Sequence, residues 1–457
     1  MCYAVLSKLM QRVELVNGDS GKKDRNVLFL GLVSFFTDLS TKMVYPLVPL
    51  YLTAVFGVTP TLIGVIEGIV DSLASTLKII SGRIGDRFQK KKLLAFSGYS
   101  TGVLYKILLA FAGSWGGVLF AKIVDRFGKG IRTTPRDVLI AESSGKKSLG
   151  KSFGLQKMLD KAGSALGILI VYFLMVGGVE DFRNIFLVSA IPAVIGLCMF
   201  FFVKERKVEQ PVKAKKHIPF FASLKTLDGR LKLYLLVVLL FTLGSFSNVF
   251  MLLRAQSLGF SDTSVILLFF AFTVSASVLA LPLGKLSDRA GRKALLVTGY
   301  LVLAAVYLGF AFAANQPLII GMFLLFSAYT AIISGTERAF VAEIAPPELK
   351  GTVLGLKSTI AGIALLPANI LAGVLWDTVS PAAPFAFGAV LSLAAAVVLL
   401  KFLKSPRHSN FEIKKQQRSK KLIQSPMGDE NANNGRNEKG SKRDKLRRIF
   451  LQAVRSG

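Results

Sequence analysis

Six ionisable residues, Lys122, Asp125, Arg126, Lys129, Arg132 and Arg136, fall within an arc of about 120° if residues 116–142 form a helix at about 100° per residue. The rest of that helix is apolar: Leu119, Phe120, Ile123, Val124, Phe127 and Ile131. A charged stripe on an apolar helix can face a polar cavity and hold a charged solute. It can equally pair with carboxylates on neighbouring helices. Lys122, Arg126 and Lys129 are the candidates for substrate contact. Arg132, Arg136 and Asp137 lie nearer the helix end, where an interfacial set of ion pairs could act as a gate.

Two further clusters have the same character. Glu67 and Asp71 stand four residues apart, with Lys78 on the same helical face. Two carboxylates so close share a proton unless each finds its own cation. Glu67 and Asp71 are therefore candidate proton-coupling groups, with Lys78 or bases of another helix as possible counter-charges. Gly64 and Gly68 beside them favour a close helix neighbour. Asp38 and Lys42 are also four apart. They can neutralise each other, or Asp38 can take up a proton and Lys42 face the cavity. Asp160 has as partners Lys157 and Lys161 on its own face, or the charged stripe of segment 116–142. Lys106 stands alone and carries no assigned role. The second half of the chain is less charged: Asn248 is a polar cavity candidate, and Glu337 and Arg338 have Lys357 as a partner or form part of a gate.

Charges are costly at membrane depth, by at least about 2.5–3.5 kcal/mol each on insertion scales, so those retained are functional or paired. The deep set holds six acids (Asp38, Glu67, Asp71, Asp125, Asp160, Glu337) and a larger number of bases. A net cationic cavity favours an anionic or carboxylate-bearing solute.

Other chemistry is missing from the sequence. The two cysteines, Cys2 and Cys198, and the two histidines, His217 and His408, show no metal-ligand or disulfide spacing. No Gly-x-x-x-x-Gly-Lys-Ser/Thr loop is present, so ATP drive is not encoded here. No nucleophile constellation and no nucleic-acid motif is found. The chain is expected to be no enzyme and to need no cofactor or metal. The segment Ala4–Met10 is too short for a signal-peptide core and is interrupted by Lys8.

These residues sit on elements that read as membrane helices. The 457-residue chain is 52% hydrophobic and only 18% charged, with a mean hydropathy of +0.54. A bilayer core needs about 20 apolar residues in helix. Such segments lie at roughly 27–55, 60–82, 93–112, 116–142, 152–176 and 184–203, then at 233–255, 263–285, 294–313, 317–342, 352–376 and 384–403. The expected fold is all-α and integral to the membrane: twelve transmembrane helices in two pseudo-symmetric six-helix halves. The expected organisation is a cytoplasmic N-terminal segment (1–26), a first half (27–203), a basic cytoplasmic linker (204–232), a second half (233–403) and a basic, polar cytoplasmic tail (404–457) that is largely disordered.

The formal charge of +30 would point a soluble protein to nucleic acid; here its position matters more. Loops on the side of the N-terminus carry 42 Lys and Arg, whereas the opposite loops carry Arg183 and Arg254 alone. By the positive-inside rule both termini are cytoplasmic, in a multi-pass protein of the cell (plasma or inner) membrane. The Lys213–His217 run and the basic tail are placed against anionic headgroups. Phe220–Leu227, and Lys442–Val454 in the tail, are expected to form amphipathic surface segments.

One loop occurs twice. Gly82-Arg83-Ile84-Gly85-Asp86-Arg87-Phe88-Gln89-Lys90-Lys91-Lys92 follows the second segment, and Gly284-Lys285-Leu286-Ser287-Asp288-Arg289-Ala290-Gly291-Arg292-Lys293 follows the eighth, 202 residues later. Each is Gly-x-x-x-Asp-Arg followed by bases. Repetition of a loop together with its hydropathy frame is what a duplicated transporter shows. In each copy Gly allows close helix approach, and the Asp can pair with Arg or meet a helix N-terminus.

These loops resemble the signature loops of the major facilitator superfamily. Gln89 replaces the Gly of that pattern in the first copy. Arg126-Phe127-Gly128-Lys129-Gly130 is similar to the family's fourth-helix motif, which is associated with proton coupling. Ala162-Gly163-Ser164-Ala165-Leu166-Gly167 keeps the small residues of its fifth-helix motif without the following Pro, and so gives no support to drug–proton antiport. Phe36–Ser40, Gly128–Asp137 and Glu337-Arg338 look like a broad prokaryotic permease subgroup, in which an acidic residue is expected where Lys42 stands. The resemblance implies a monomeric secondary transporter of a small solute. It would work by alternating access with protons as partner, with Gly82, Asp86, Arg87, Gly284, Asp288, Arg289, Gly291 and Arg292 latching the halves. Two alternatives stay open. One is efflux of drug-like or lipid-like compounds along a Phe-rich lining such as Phe35, Phe246, Phe250 and Phe326. The other is a non-transporting receptor or scaffold using the tail.

Overall fold

The computed structural model describes residues 21–87, 91–144, 149–179, 181–205, 227–345 and 350–402. All regular structure among them is helical. The helices are α1 (Gly21–Val44), α2 (Leu47–Phe56), α3 (Pro60–Arg87), α4 (Lys91–Ala110), α5 (Trp115–Ser143), α6 (Leu149–Val176), α7 (Phe182–Met199), α8 (Gly229–Leu243), α9 (Val249–Ser257), α10 (Asp262–Ala290), α11 (Arg292–Ala311), α12 (Gln316–Ile344), α13 (Lys350–Thr378) and α14 (Ala383–Phe402). Most of the linker, the N-terminal twenty residues and the tail lie outside the described residues, as do the two amphipathic surface segments expected there.

Two of the predicted segments are each split in two. The first, expected as one span, breaks at Tyr45–Pro46, where the proline removes a backbone donor. The second half's first segment breaks at residues 244–248, and α8 and α9 are 15 and 9 residues long. With each broken pair counted as one, the described helices form twelve rods. Nine stretches among the described residues are long and apolar enough to cross a membrane unaided; α3, α5 and the broken α8–α9 are not among them. Both α3 and α5 carry the charged residues singled out above.

Packing repeats between the halves. In the first, α1 lies on α6 and α7, α4 on α5 and α7, and α3 on α5. In the second, α8 lies on α13 and α14, α11 on α12 and α14, and α10 on α12. The contacts between halves obey the same exchange: α3 runs along α13, and α6 along α10. Large apolar side chains such as Phe120, Phe173, Val278, Ile363, Val390 and Leu400 stand on the exterior, as a lipid-facing surface requires.

Glycines permit close approaches of helix backbones, two of which bear on the site. A Cβ on Gly64 would stand 2.2 Å from the Asn369 carbonyl oxygen, so α3 meets α13 backbone to backbone. A Cβ on Gly163 would stand 2.2 Å from the Phe35 carbonyl, which fixes α6 on α1. Gly163 belongs to the small-residue motif of the fifth segment, so that motif serves helix packing here.

Helix ends are capped by side chains. Ser114, Asp228, Ser261 and Asn315 each accept a backbone N–H three residues on. At the opposite ends, Lys92 donates to the Phe201 carbonyl at 3.2 Å and Lys293 to the Leu400 carbonyl at 2.9 Å. The last base of each duplicated loop thus sits on a carbonyl at the end of the last rod of its own half (for Phe201, two residues past it), where positive charge is favoured.

Candidate functional site

The contact of α3 with α5 brings together the two richest charged stripes. Lys122 donates to Glu67 in a buried ion pair. One turn further along, Arg126 lies between two carboxylates: Nη1 is 3.5 Å from Asp125 Oδ2, and Nη2 is 3.9 Å from Asp71 Oδ1. Glu67 and Asp71 therefore each have a cation, and it comes from α5. The Lys78 side chain lies outside the described residues.

Beside Arg126 is a cavity of about 300 Å³, lined by Asp71, Ala74, Ser75, Arg126, Lys129, Gly130 and Leu365. Leu365 comes from α13, so both halves contribute to the wall. Lys129 is exposed in that space and has no ion pair within 4.0 Å among the described residues. A second, smaller space adjoins Thr41, Tyr45, Glu67, Tyr105, Lys122, Asp125 and Arg126. The two spaces share Arg126 as a common wall.

Asp38 and Lys42 do not form the neutralising pair that their spacing allows. The Lys42 ammonium lies 4.5 Å from the centre of the Tyr45 ring and 5.2 Å from that of Phe269, an arrangement stabilised by the negative ring faces. The Tyr45 and Phe269 rings are themselves stacked at 5.4 Å, one from each half. Asp38 faces the Ser164 hydroxyl at 3.5 Å. Asp160, expected to pair with a lysine, takes a hydrogen bond from Gln156 instead.

Asn248 is placed at the break between α8 and α9, where its carbonyl accepts from Met251 at 3.1 Å and Leu252 at 3.3 Å. A residue not singled out from the sequence is more telling there. Asn369, fully buried on α13, accepts the Ser247 N–H at 2.8 Å and donates to the Leu365 carbonyl. It supplies a partner to backbone that the break leaves free. A lone Asn in the apolar run from Gly362 to Val374 was the available signal. Lys106 was also passed over: it is fully buried, lies 5.2 Å from the Tyr105 ring centre, and has no hydrogen-bond partner among the described residues.

The gate candidates divide. Arg132 is buried over the Tyr99 ring, with Nη1 3.5 Å from the Gly98 carbonyl. Arg136 pairs with its neighbour Asp137 at 2.8 Å, and Glu337 pairs with Lys357 at 2.6 Å. Gly82, Asp86 and Arg87 close α3; Gly284, Asp288 and Arg289 lie in the last turns of α10; Gly291 has φ +89 between α10 and α11, where Arg292 begins the next helix. The side chains of Asp86, Arg87, Asp288, Arg289 and Arg338 lie outside the described residues. Beside the first loop, Lys91 forms an ion pair with Glu142, and its N–H donates to Glu205 at 2.7 Å.

The model of the Major Facilitator Superfamily matches residues 30–254 and 233–452. The chain belongs to that family. A protein of Methanocaldococcus jannaschii described as an uncharacterized MFS-type transporter is 34% identical over 396 residues, covering 85% of this chain and 98% of its own. Multidrug resistance protein MdtG of Dickeya zeae is 23% identical over 411 residues, covering 85% and 96%. The nucleoside transporter NupG superposes with a TM-score of 0.70 at 12% identity, covering 83% of this chain and 100% of that one. The human organic anion transporter MFSD10 gives 0.59 at 16% identity, covering 82% and 99%. These solved structures establish the shared fold. As a member of the superfamily the chain is a multi-pass membrane transporter and not an enzyme.

Proposed function

We propose that this transporter carries a small carboxylate-bearing solute by alternating access, coupled to protons, across the cell membrane. The observation that carries the reading is Lys129. It is a cation without a counter-ion among the described residues, in a cavity walled by both halves, next to Arg126. A carboxylate there would receive charge-assisted hydrogen bonds, worth about 1.5–3 kcal/mol each. Asp71 is the best placed proton carrier, since it faces the same cavity and its contact with Arg126 is long. Asp38, which meets a hydroxyl and no cation within 4.0 Å among the described residues, is the second. Glu67, held by Lys122, is the third.

In this reading the halves span 27–203 and 233–403 and act as a monomer. Both termini face the cytoplasm, by the 42-to-2 distribution of bases. The linker and tail rest on anionic headgroups. The pairs Arg136–Asp137 and Glu337–Lys357 belong to the gate, together with the duplicated loops.

Efflux of hydrophobic compounds is the second reading, favoured by the relationship to MdtG. Three of the four aromatic residues offered for it are packed in the interior: Phe246 stacks on Tyr307 at 4.9 Å, Phe326 on Phe272 at 5.1 Å, and Phe250 is fully buried.

The test is proton flux in proteoliposomes loaded with a pH-sensitive dye and challenged with carboxylates, neutral sugars and lipophilic cations. Carboxylate-driven flux that is lost in Arg126→Ala supports the proposal. Flux driven by lipophilic cations moves the assignment to efflux, and carboxylate transport insensitive to the proton gradient removes the coupling.

A further inference from the structure

The cavity beside Arg126 is bipolar, and its polarity narrows the class of solute. Asp71 on α3 and Lys129 on α5 line the same space. Arg126 stands between them and leans toward Asp125, at 3.5 Å, rather than toward Asp71, at 3.9 Å. Asp71 is the more open of the two acids, with 29% of its side chain exposed against 8% for Asp125.

Binding leaves that acid without its contact. A carboxylate that engages Lys129 and Arg126 draws the guanidinium off its long contact with Asp71. Asp71 is then left facing the bound carboxylate, with Glu67 one turn away on its own helix. A cationic group on the same solute would occupy that position and satisfy Asp71. The rest of the wall is small or apolar, from Ala74, Gly130 and Leu365, and suits a short carbon skeleton between the two poles. A space of about 300 Å³ suits a small solute.

We infer that the substrate is a compact zwitterion, its carboxylate on Lys129 and Arg126 and its ammonium group on Asp71. This rests on the carboxylate reading of the same cavity and adds the opposite pole.

The experiment compares matched probes on the purified full-length protein, read as ligand-dependent thermal stabilisation over a concentration series. Two sets differ by one group at a time: γ-aminobutyrate, butyrate and butylamine; and leucine, 4-methylpentanoate and isopentylamine. The inference predicts that, in at least one set, the zwitterion binds at least tenfold more tightly than either single-charge relative. Asp71→Asn should remove that advantage and leave the plain carboxylate unchanged or tighter. Lys129→Ala should weaken zwitterion and plain carboxylate by the same factor. If the plain carboxylates bind as tightly as the zwitterions, the inference is overturned while the carboxylate reading stands. If neither carboxylate form binds, or the amines bind best, both are overturned. The wild-type comparison decides these outcomes even if a variant does not fold.

Discussion

Removing one half of a buried ion pair strands the other charge, at a cost of about 3–5 kcal/mol. Lys122→Met and Glu67→Gln should therefore each lower the melting temperature of the detergent-purified protein. The double variant should recover most of the loss, since it leaves no unpaired charge. Equal and additive losses in a double-mutant cycle would show that the pair is not coupled. Lys106 makes the opposite prediction. Its ammonium is fully buried and has no hydrogen-bond partner among the described residues, so Lys106→Met should leave the melting temperature unchanged or raise it. A fall of several degrees would mean that Lys106 holds Asp125, whose Oδ1 is likewise buried without a partner. Helical spacing was enough to put Glu67, Asp71, Arg126 and Lys129 on faces that could meet. It could not choose partners, because any base on a facing helix satisfies the same pattern. Lys42 shows the limit: i,i+4 spacing offered Asp38, and two aromatic rings, one from a distant helix, took the ammonium instead.

At the scale of elements, the close approach of α3 to α13 ties the two halves together through backbone. A methyl at Gly64 meets the Asn369 carbonyl oxygen at 2.2 Å, a backbone atom that cannot swing away, with the Phe250 ring at 3.4 Å. Gly64→Ala should wedge this contact open and shift the conformational balance. Cysteines introduced singly at Thr61 and Leu366 would report it through faster labelling by a membrane-impermeant maleimide. Gly355→Ala, where a Cβ meets nothing within 4 Å, is the control and should label as wild type does. Labelling unchanged by Gly64→Ala would separate this contact from the transport cycle. The twelve rods were largely readable from apolar run length, and their twofold order from the repeated loop. The breaks were not. Pro46 was visible as a residue, but a single proline inside an apolar run kinks some helices and ends others. The α8–α9 break depends on Asn369, more than a hundred residues away, to satisfy the Ser247 N–H, and local sequence carries no trace of that.

For the whole molecule, the exchange of contacts between halves (α3 on α13, α6 on α10) gives two corresponding seams, the first the more extensive, about which the bundle can rock. The tail lies outside the described residues, and the proposed cycle does not call on it. Truncation after Ser405 should leave the initial rate of transport within about twofold, with any loss confined to membrane abundance; a loss of transport at equal abundance would assign the tail a role in the cycle. Whole-chain charge read alone would have suggested a nucleic-acid partner; the apolar segments gave the membrane reading, and the distribution of charge along them gave the orientation. The solute was beyond the sequence, because it depends on which cation is left unpaired once helices α3 and α5 meet.

That cation is the point at which the account is most exposed. The decisive measurement is carboxylate-driven uptake into proteoliposomes by wild-type protein, Lys129→Ala and Lys161→Ala at equal abundance. Lys161 carries the same charge on α6 and lines neither cavity. With Lys129 as the substrate cation, Lys129→Ala should raise the half-saturating concentration by about ten- to a hundredfold, from about 1.5–3 kcal/mol of lost interaction, and Lys161→Ala should behave as wild type. Wild-type uptake by Lys129→Ala would contradict the assignment of this cavity as the carboxylate site.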